Sequence, residues 1–360
     1  MTELEQAISE KFHRPYAVFT GNGTTAMYLA FQALELQAKK VLFPGISCTN
    51  PVNAAIFAGY EVDFCDINLK DYTIDTDELE RLLRTGQYGI VVPTHIYGHR
   101  YDEEKVRDLC RKYQAVLFED AAQSFYVSES ADLSVMSFGH TKVCDTPLGG
   151  GVILTADAHL AEKIAGGRMK LEDKQSLPDT LFDEYRERYY AITKAGLTWE
   201  ERNKRLRELQ LDSRQYFIYD LQDNPAIIKE LKVLEETVEN RRQKALIYEN
   251  ELQKPYVIQA KKDDLFCWRY TFLYKGNRDE LLKRTRERDI DISSWYVSLA
   301  GIYKGEHLKN SDELEKRVVN LWVDASHGVK KIREDIASIN RIMEEEYAGA
   351  QKAMDDNASE

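Results

Sequence analysis

The stretch Tyr16–Gln37, YAVFTGNGTTAMYLAFQALELQ, decides the fold class. It begins with a short apolar run of β-type residues, passes through Gly21 and Gly23, and continues in a helical pattern. The same order of strand and helix recurs in KVLFP with NPVNAAIFAG, EVDFCDI with DTDELERLLR, and YGIVVPTH with DEEKVRDLCRKY, before the strand AVLFED. Strands this apolar, alternating with helices, predict an α/β layer on a mostly parallel, mixed sheet flanked by helices.

A second alternation of strands and helices begins near Phe266, with FCWRYTFLY, RDELLKRTRERD, IDISSWY and NLWVDAS. We therefore predict a large domain over residues 1–252 and a smaller C-terminal α/β domain over residues 253–360. Residues 169–211 are strongly charged and helix-prone, which indicates a helical insertion in the large domain. We expect one long helix from Pro225 to the end of the large domain, because proline is favoured in a first helical turn.

Composition and charge exclude several kinds of partner. The chain has 360 residues and a formal net charge of −12, which disfavours nucleic acids and anionic membranes. No apolar run approaches the ~20 residues that span a bilayer, and the N-terminal MTELEQAISEKF lacks the features of a signal peptide. The five cysteines are scattered and include no C-x-x-C pair. We therefore expect a cytoplasmic protein with reduced thiols and no zinc site.

The glycine-rich turn of the first stretch is a candidate phosphate site. The free N–H groups at a helix start favour an anion, and the hydroxyls of Thr24 and Thr25 add donors beside Gly23. An ordinary glycine turn with a threonine as helix N-cap explains the same residues. The sequence contains neither G-x-x-x-x-G-K-[ST] nor a G-x-G-x-x-G spacing.

Two further stretches carry candidate catalytic groups. In AVLFEDAAQS, Asp120 directly follows an apolar strand, at the edge where open α/β sheets bind ligands, although a helix N-cap is an alternative. In SFGHTKVCDTPLGGG, Lys142 lies where the chain crosses the rim of the sheet, although most lysines are solvated surface charges. His95 and His99 have a helical ligand spacing, but they lie in a glycine- and tyrosine-containing loop without a nearby acidic cluster, so we expect no metal.

Taken in order, these features match the needs of pyridoxal 5′-phosphate. This cofactor requires donors for its phosphate, an anion beside its pyridine nitrogen, and an amine that holds its aldehyde as a Schiff base. A phosphate site, then Asp120, then Ser137 and Lys142 supply these groups along one α/β chain. The sequence therefore predicts pyridoxal 5′-phosphate as cofactor, with Lys142 and Asp120 as catalytic residues.

The segments GNGTTAMYLA, VLFPGISCTNPVNAAIFAG, VDFCDINLKDYTID, VVPTHIYGH, FEDAAQS, ADLSVMSFGHTK and GGGVILT also carry a resemblance. With them the sequence resembles the DegT/StrS-type aminotransferases, which use pyridoxal phosphate, have the aspartate-aminotransferase fold and act mostly on nucleotide-linked keto-sugars. The resemblance covers residues 16–168 and, more weakly, 214–346, and EDAAQ followed by SFxxxK is its most specific part. It implies that Lys142 forms the Schiff base, Asp120 pairs with the pyridine nitrogen and Gln123 contacts the phenolic oxygen. The positions it implies for the phosphate are Gly23, Thr24 and Ser137.

The chain also departs from that family. Cys48 stands where the family often stacks an aromatic ring on the cofactor. Gln215 aligns with an asparagine that reaches the phosphate from the partner subunit, and Phe217 with an arginine; Leu148-Gly149-Gly150-Gly151 stands in place of the usual acidic GEGG. We still expect Cys48 and Gln215 to line the cofactor site, and a homodimer with shared active sites.

These observations predict an aminotransferase that moves an amino group from glutamate or glutamine to a ketone by ping-pong chemistry. A nucleotide-linked keto-sugar is the first candidate acceptor, and a non-sugar substrate in natural-product biosynthesis is the alternative. A lyase on the same scaffold stays open, but the dehydratases of the family carry histidine at the position of Lys142, which favours transamination. A non-catalytic regulator would need an attached DNA-binding module, which we do not expect in this chain.

Overall fold

The computed structural model describes residues 1–36, 38–139, 141–172, 180–260 and 268–358, without the side chains of residues 180–182 and 350–358. Among these residues, seven strands share one sheet. They are β1 (Tyr16–Thr20), β2 (Lys40–Pro44), β3 (Val62–Cys65), β4 (Tyr88–Val91), β5 (Val116–Asp120), β6 (Leu133–Ser137) and β7 (Gly151–Thr155). Their order across the sheet is β1-β7-β6-β5-β4-β2-β3.

The sheet is mixed but mainly parallel, as the sequence predicts. Strands β2 to β6 pair in parallel, and β7 runs antiparallel to both β1 and β6. Most strand residues are buried, which explains the near-continuous apolar runs. The carboxyl ends of β1, β5 and β6 therefore meet at one edge of the sheet.

Helices cover the sheet and connect its strands. They are α1 (Glu3–Lys11), α2 (Gly23–Leu34), α3 (Thr49–Phe57), α4 (Thr76–Leu83), α5 (Glu103–Tyr113), α6 (Ala158–Arg168), α7 (Thr180–Thr193), α8 (Trp199–Leu211), α9 (Arg214–Phe217), α10 (Ala226–Lys232) and α11 (Leu234–Glu251). Two 3₁₀ turns, Ile96–Gly98 and Lys254–Tyr256, join them. Helix α2 packs on the sheet and on α3 and α6, which explains why it is apolar on nearly every side.

The start of α2 differs from the threonine-capped turn considered above. Its N-cap is Asn22, in an extended conformation, and the Asn22 Oδ1 atom accepts a hydrogen bond of 2.8 Å from Thr25 N. Asparagine is among the favoured N-caps because its side chain satisfies an N–H group that the helix cannot. The cap therefore leaves the preceding N–H groups, those of Gly23 and Thr24, without an intrahelical partner.

Two sequence predictions, one for the charged stretch 169–211 and one for the helix after Pro225, compare differently with the structure. The described part of the charged stretch contains α7 and α8, while residues 173–179 lie outside the described residues. The prediction of one helix after Pro225 is wrong, because the backbone leaves the helical conformation at Val233 (φ −109°) between α10 and α11. Helix α10 packs against α1 whereas α11 packs against the C-terminal helix, and one straight helix would not follow both contacts.

A second, antiparallel sheet follows in the C-terminal third. Its strands are β8 (Val257–Gln259), β9 (Tyr270–Tyr274), β10 (Ile292–Ser293) and β11 (Val318–Leu321), in the order β10-β11-β9-β8. The helices of this part are α12 (Arg278–Arg286), α13 (Leu299–Lys304), α14 (Lys309–Arg317) and α15 (Val329–Ala358). Helices α11, α12 and α15 share one apolar cluster with this sheet. The domain boundary after residue 252 stays a prediction.

Candidate active site

The register of three strands places the candidate phosphate residues side by side. Thr20 at the end of β1 and Ser137 at the end of β6 both pair with Gly151, the first residue of β7. A Cβ atom at Gly151 would lie 2.2 Å from the carbonyl carbon of Asn22, so only glycine lets β7 approach the peptide that opens α2. A Cβ at Gly23 would lie 3.3 Å from that of Ser137. The structure thus brings Gly23 and Ser137 together as predicted.

The start of α2 offers an anion site built from two kinds of donor. The N–H groups of Gly23 and Thr24 open the helix, and its dipole is positive at this end. Within the part of the chain that the structure describes, no group hydrogen-bonds the hydroxyl of Thr24 or of Ser137. Because Thr24 is only 6% exposed, its hydroxyl is a nearly buried donor next to those N–H groups. This arrangement fits a phosphate group.

Thr25 has a different role from the one predicted. Its Oγ1 atom donates to Phe217 O at 2.8 Å and accepts from Tyr219 N at 3.2 Å. Its N–H group is used by the Asn22 cap, and the Asn22 side-chain amide also donates to Phe217 O, at 2.9 Å. The donors of Thr25 therefore hold the segment after α9, and we no longer include Thr25 among the phosphate contacts.

Asp120 is a buried carboxylate at the carboxyl end of β5. Its Oδ1 atom accepts from Ala122 N at 3.0 Å and its Oδ2 atom from the Thr94 hydroxyl at 3.4 Å. Burial raises the pKa of Asp120, while the positive charge of Lys142 acts in the opposite direction. A turn follows this residue, so the alternative of a helix N-cap is not realised. The carboxylate is suited to a buried cationic partner such as a protonated ring nitrogen.

Behind Asp120 lies a second buried carboxylate, on the residue before it in β5. Glu119 contacts His95 Nε2 at 2.8 Å, and its two oxygens accept from Ser128 N at 3.0 and 2.9 Å. Although burial opposes ionisation, the contact with His95 keeps the pKa of Glu119 below its ordinary value. Among the described residues, no three or more His, Cys, Asp and Glu side chains form a possible metal site.

The side chain of Gln123 is oriented by the backbone. Its Oε1 atom accepts from Tyr97 N at 2.8 Å, and the residue is 2% exposed. Because a backbone N–H is only a donor, the carbonyl side of the amide must face Tyr97. The Nε2 donors of Gln123 then remain for another acceptor, as contact with a phenolic oxygen requires.

Lys142 lies in the loop between β6 and β7, half-buried. Burial lowers the pKa of Lys142, and the charge of Arg269 lowers it further, whereas Cys48 and Asp120 oppose this change. A lowered pKa makes the neutral, nucleophilic amine more abundant near neutral pH. The backbone of this lysine is held by Arg241, whose Nη2 atom donates to Lys142 O at 3.1 Å.

Cys48 and Gln215 stand in different surroundings. Cys48 occupies the N-cap position of α3, and burial raises its thiol pKa; Lys142 and Asp120 also act on this thiol electrostatically. It is therefore a neutral neighbour of both catalytic candidates. Gln215 is exposed on the short helix α9, and its role across a subunit interface stays a prediction. Arg214, the preceding residue on α9, donates to Tyr28 OH at 2.9 Å.

Three residues of this region were missed by sequence reasoning: Arg241, Arg269 and Tyr296. Burial raises the pKa of Tyr296 well above its ordinary value, and Cys48 and Asp120 act on it as well. Tyr296 N donates to Tyr97 OH at 2.9 Å, which ties the C-terminal third to the loop that orients Gln123. The sequence feature that could have indicated Arg269 was its position as a single arginine inside the apolar run FCWRYTFLY.

The candidate residues at this sheet edge carry the groups that pyridoxal 5′-phosphate needs. They fit the cofactor at its phosphate, phenolic oxygen, ring nitrogen and aldehyde. Fold and site together thus define the class, α/β enzymes that depend on this cofactor. The sequence profile of the DegT/DnrJ/EryC1/StrS aminotransferase family matches residues 1–339. The chain belongs to this family, which confirms both the resemblance and the cofactor inferred from the sequence.

The sequence identity of this chain to individual relatives is low. The 3-oxo-glucose-6-phosphate:glutamate aminotransferase of Bacillus subtilis is 28% identical over 167 residues, which are 45% of this chain and 38% of that protein. The UDP-4-amino-4,6-dideoxy-N-acetyl-β-L-altrosamine transaminase of Campylobacter jejuni is 32% identical over 173 residues, 46% of each chain. The matches thus span less than half the length of these curated relatives. The solved structure of NtdA from Bacillus subtilis, with bound cofactor PMP, has a TM-score of 0.73 at 18% identity and covers 95% of this chain and 76% of that one. It shows the same fold.

Proposed function

We propose that this protein is a pyridoxal phosphate-dependent aminotransferase that moves an amino group from an amino-acid donor to a ketone in two half-reactions. The observation that carries this proposal is that a half-buried amine, Lys142, and a buried carboxylate, Asp120, lie at one sheet edge close enough for the charge of each to act on the other. When bound, the cofactor supplies an aldehyde for the amino nitrogen and a ring that accepts electrons from the substrate carbon. Without a cation beside it, a buried carboxylate such as Asp120 would be costly.

Each residue has a role that its surroundings support. Lys142 holds the aldehyde carbon through its amine and moves protons at the substrate carbon. The charge of Asp120 keeps a ring nitrogen protonated, and the amide of Gln123 donates to the phenolic oxygen. The groups for the phosphate are the N–H groups and hydroxyls of Gly23, Thr24 and Ser137.

The substrates are proposed from the relatives. The names of the Bacillus and Campylobacter proteins describe amino transfer to or from sugars, one of them with glutamate and the other with a UDP-linked sugar. We propose glutamate or glutamine as donor and a nucleotide-linked keto-sugar as acceptor. A non-sugar ketone is the second candidate, because the small thiol of Cys48, on which the charge of Lys142 acts, stands where the family often stacks an aromatic ring.

We further propose a homodimer with shared active sites and a cytoplasmic location. Arg214 and Gln215 are both exposed on α9, next to the segment that Thr25 holds, and this surface would approach the partner's phosphate site. The free thiols of Cys48, Cys65 and Cys110 suit a reducing compartment. The division into residues 1–252 and 253–360 belongs to the same proposal.

Half-reactions test the substrates directly. The amine form of the enzyme is incubated with a panel of nucleotide-linked keto-sugars and keto acids, and the absorbance of the aldehyde form is followed. We expect a keto-sugar to restore that absorbance most rapidly. Restoration by keto acids alone would contradict the sugar acceptor and leave the aminotransferase activity in place.

A further inference from the structure

A buried arginine directly before β9 is surrounded by three of the four tryptophans of the chain. Arg269 is 1% exposed, and its guanidinium carbon lies 3.5 Å from the ring centroid of Trp322, 4.2 Å from that of Trp268 and 4.5 Å from that of Trp295. Indole rings thus cover the guanidinium, and stacking of this kind stabilises a cation. The edges of the guanidinium are then the places where hydrogen bonds can form.

Among the residues that the structure describes, one edge of this guanidinium has no hydrogen-bond acceptor. Its Nη1 atom donates to the Ser293 hydroxyl at 2.8 Å, but within that part of the chain the buried Nε and Nη2 atoms have no partner, nor does the buried Nε1 atom of Trp322. All three unpartnered atoms are donors, and leaving such groups buried and unbonded is costly. Asp324, which acts on Arg269 by its charge, is engaged by the Ser326 hydroxyl. Burial lowers the pKa of Arg269 to about 10, so the group stays charged near neutral pH.

The residues around these donors contact the loop that carries Lys142, and the charge of Arg269 acts on that lysine. The guanidinium of Arg241 bridges the two places, donating to Trp268 O and to Lys142 O, both at 3.1 Å. The Trp268 indole N–H also donates to Thr141 O. The residues that precede Arg269 and Lys142 in the chain are therefore in direct contact.

We infer that the Nε–Nη2 edge of Arg269, together with the indole N–H of Trp322, binds the carboxylate of the amino donor. Two parallel N–H groups on a planar guanidinium match the two oxygens of a carboxylate. In an α-amino acid the carboxylate carbon is bonded to the carbon that carries the nitrogen, so its binding site must lie close to the amine that exchanges with that nitrogen. This assignment rests on the proposed function, and it names an α-amino acid as the donor class.

A carboxylate on the acceptor, as in an oxidised sugar, would offer the same chemistry. The two sources are separated by measuring the half-reactions one at a time. The donor site predicts an effect on the reaction with L-glutamate in the absence of any acceptor. A site for the acceptor's carboxylate predicts an effect only on the half-reaction with a carboxylate-bearing ketone.

The test begins with equilibrium binding to the holoenzyme. Glutarate, which has carboxylates but no amine to react, is titrated by calorimetry into the wild type, Arg269→Met, Arg269→Lys and Trp322→Phe. We expect the Kd for glutarate to rise about 10- to 100-fold in Arg269→Met. The rise should be smaller in Trp322→Phe, because this variant loses only one donor. Arg269→Lys should show an intermediate rise, because it keeps the charge but lacks the two parallel donors. Arg242→Met, which removes an exposed arginine paired with Glu239 on α11, is the matched control.

Single-turnover kinetics give the second readout. The apparent Kd for L-glutamate should rise by a similar factor in Arg269→Met, whereas a UDP-linked keto-sugar without a carboxylate should lose much less with the amine form. Unchanged glutarate binding in Arg269→Met and Trp322→Phe would overturn the site, and a loss confined to carboxylate-bearing acceptors would overturn its assignment to the donor. If Arg269→Met does not fold, glutarate binding by Arg269→Lys and Trp322→Phe tests the site instead. A wild type that binds glutarate at Arg269 but does not react with glutamate would refute the proposed function and not the carboxylate site.

Discussion

At the scale of single residues, the candidate site consists of groups whose ionisation their surroundings have changed. Burial raises the pKa of Asp120 and lowers that of Lys142, so each charge is unfavourable unless it has a partner. The opposing charge of each residue partly offsets the cost for the other. Such paired and perturbed groups in one place are typical of catalytic sites.

Replacement of Asp120 by asparagine tests the electrostatic part of this account. The amide keeps the size of the side chain but cannot hold a ring nitrogen protonated, so we expect kcat to fall at least about 10²- to 10³-fold. The control Thr94→Val removes only the 3.4 Å contact to Oδ2 and should retain most of the activity. Steady-state kinetics and circular dichroism distinguish lost catalysis from lost folding. Near-normal turnover in Asp120→Asn would mean that Asp120 is not the ring partner.

At the scale of secondary-structure elements, the contact between β7 and the start of α2 shapes the phosphate site. We expect Gly151→Ala to lower the free energy of unfolding by about 1–3 kcal/mol and to weaken cofactor binding, because its Cβ would displace the Asn22–Gly23 peptide. Gly166 in α6 is the control, since a Cβ there meets no atom within 4 Å, and Gly166→Ala should stabilise by about 0.5–1 kcal/mol. Denaturant unfolding and cofactor titration provide the two measurements. Equal stability of both variants would contradict the packing described.

The two threonines of α2 should separate binding from folding. Thr25→Val loses the hydrogen bonds to Phe217 O and from Tyr219 N, so we expect a loss of about 1–3 kcal/mol in stability with a small change in cofactor affinity. Thr24→Val removes a hydroxyl that has no partner among the described residues and should weaken cofactor binding with little effect on unfolding. The reverse pattern would show that the phosphate contacts have been assigned to the wrong threonine.

Local patterns in the sequence predicted the elements better than the contacts between them. The apolar strands follow from residues close in the chain, and the mainly parallel sheet that they predicted is confirmed. The break at Val233 depends on which helices α10 and α11 pack against, and the role of Thr25 depends on a segment nearly 200 residues away. Arg269 lies more than 100 residues beyond Lys142, so no local pattern could join them.

At the scale of the whole molecule, two parts of the chain meet at the site. The main sheet provides Asp120, Ser137 and the start of α2, while β9 of the second sheet brings Arg269 towards Lys142. The C-terminal third therefore contacts the candidate site as well as forming a separate sheet. Within the described residues, none of the helices is both long and apolar enough to cross a membrane.

The proposed shared active sites can be tested with hybrid dimers. Lys142→Ala and a Gln215→Ala, Arg214→Ala double variant are each expected to be inactive, because each lacks one half of every site. Mixed dimers, verified by differential tagging, should recover activity in one of their two sites. An active enzyme that is monomeric by light scattering, or verified hybrids without activity, would defeat the proposal.

The most direct test of the central claim is the position at which the cofactor is attached. Borohydride reduction of the purified holoenzyme, followed by digestion and mass spectrometry, shows which lysine carries the reduced pyridoxal phosphate. We expect the adduct on the peptide containing Lys142, and its loss in Lys142→Ala. An adduct on another lysine, or no adduct on a protein saturated with cofactor, would contradict the account.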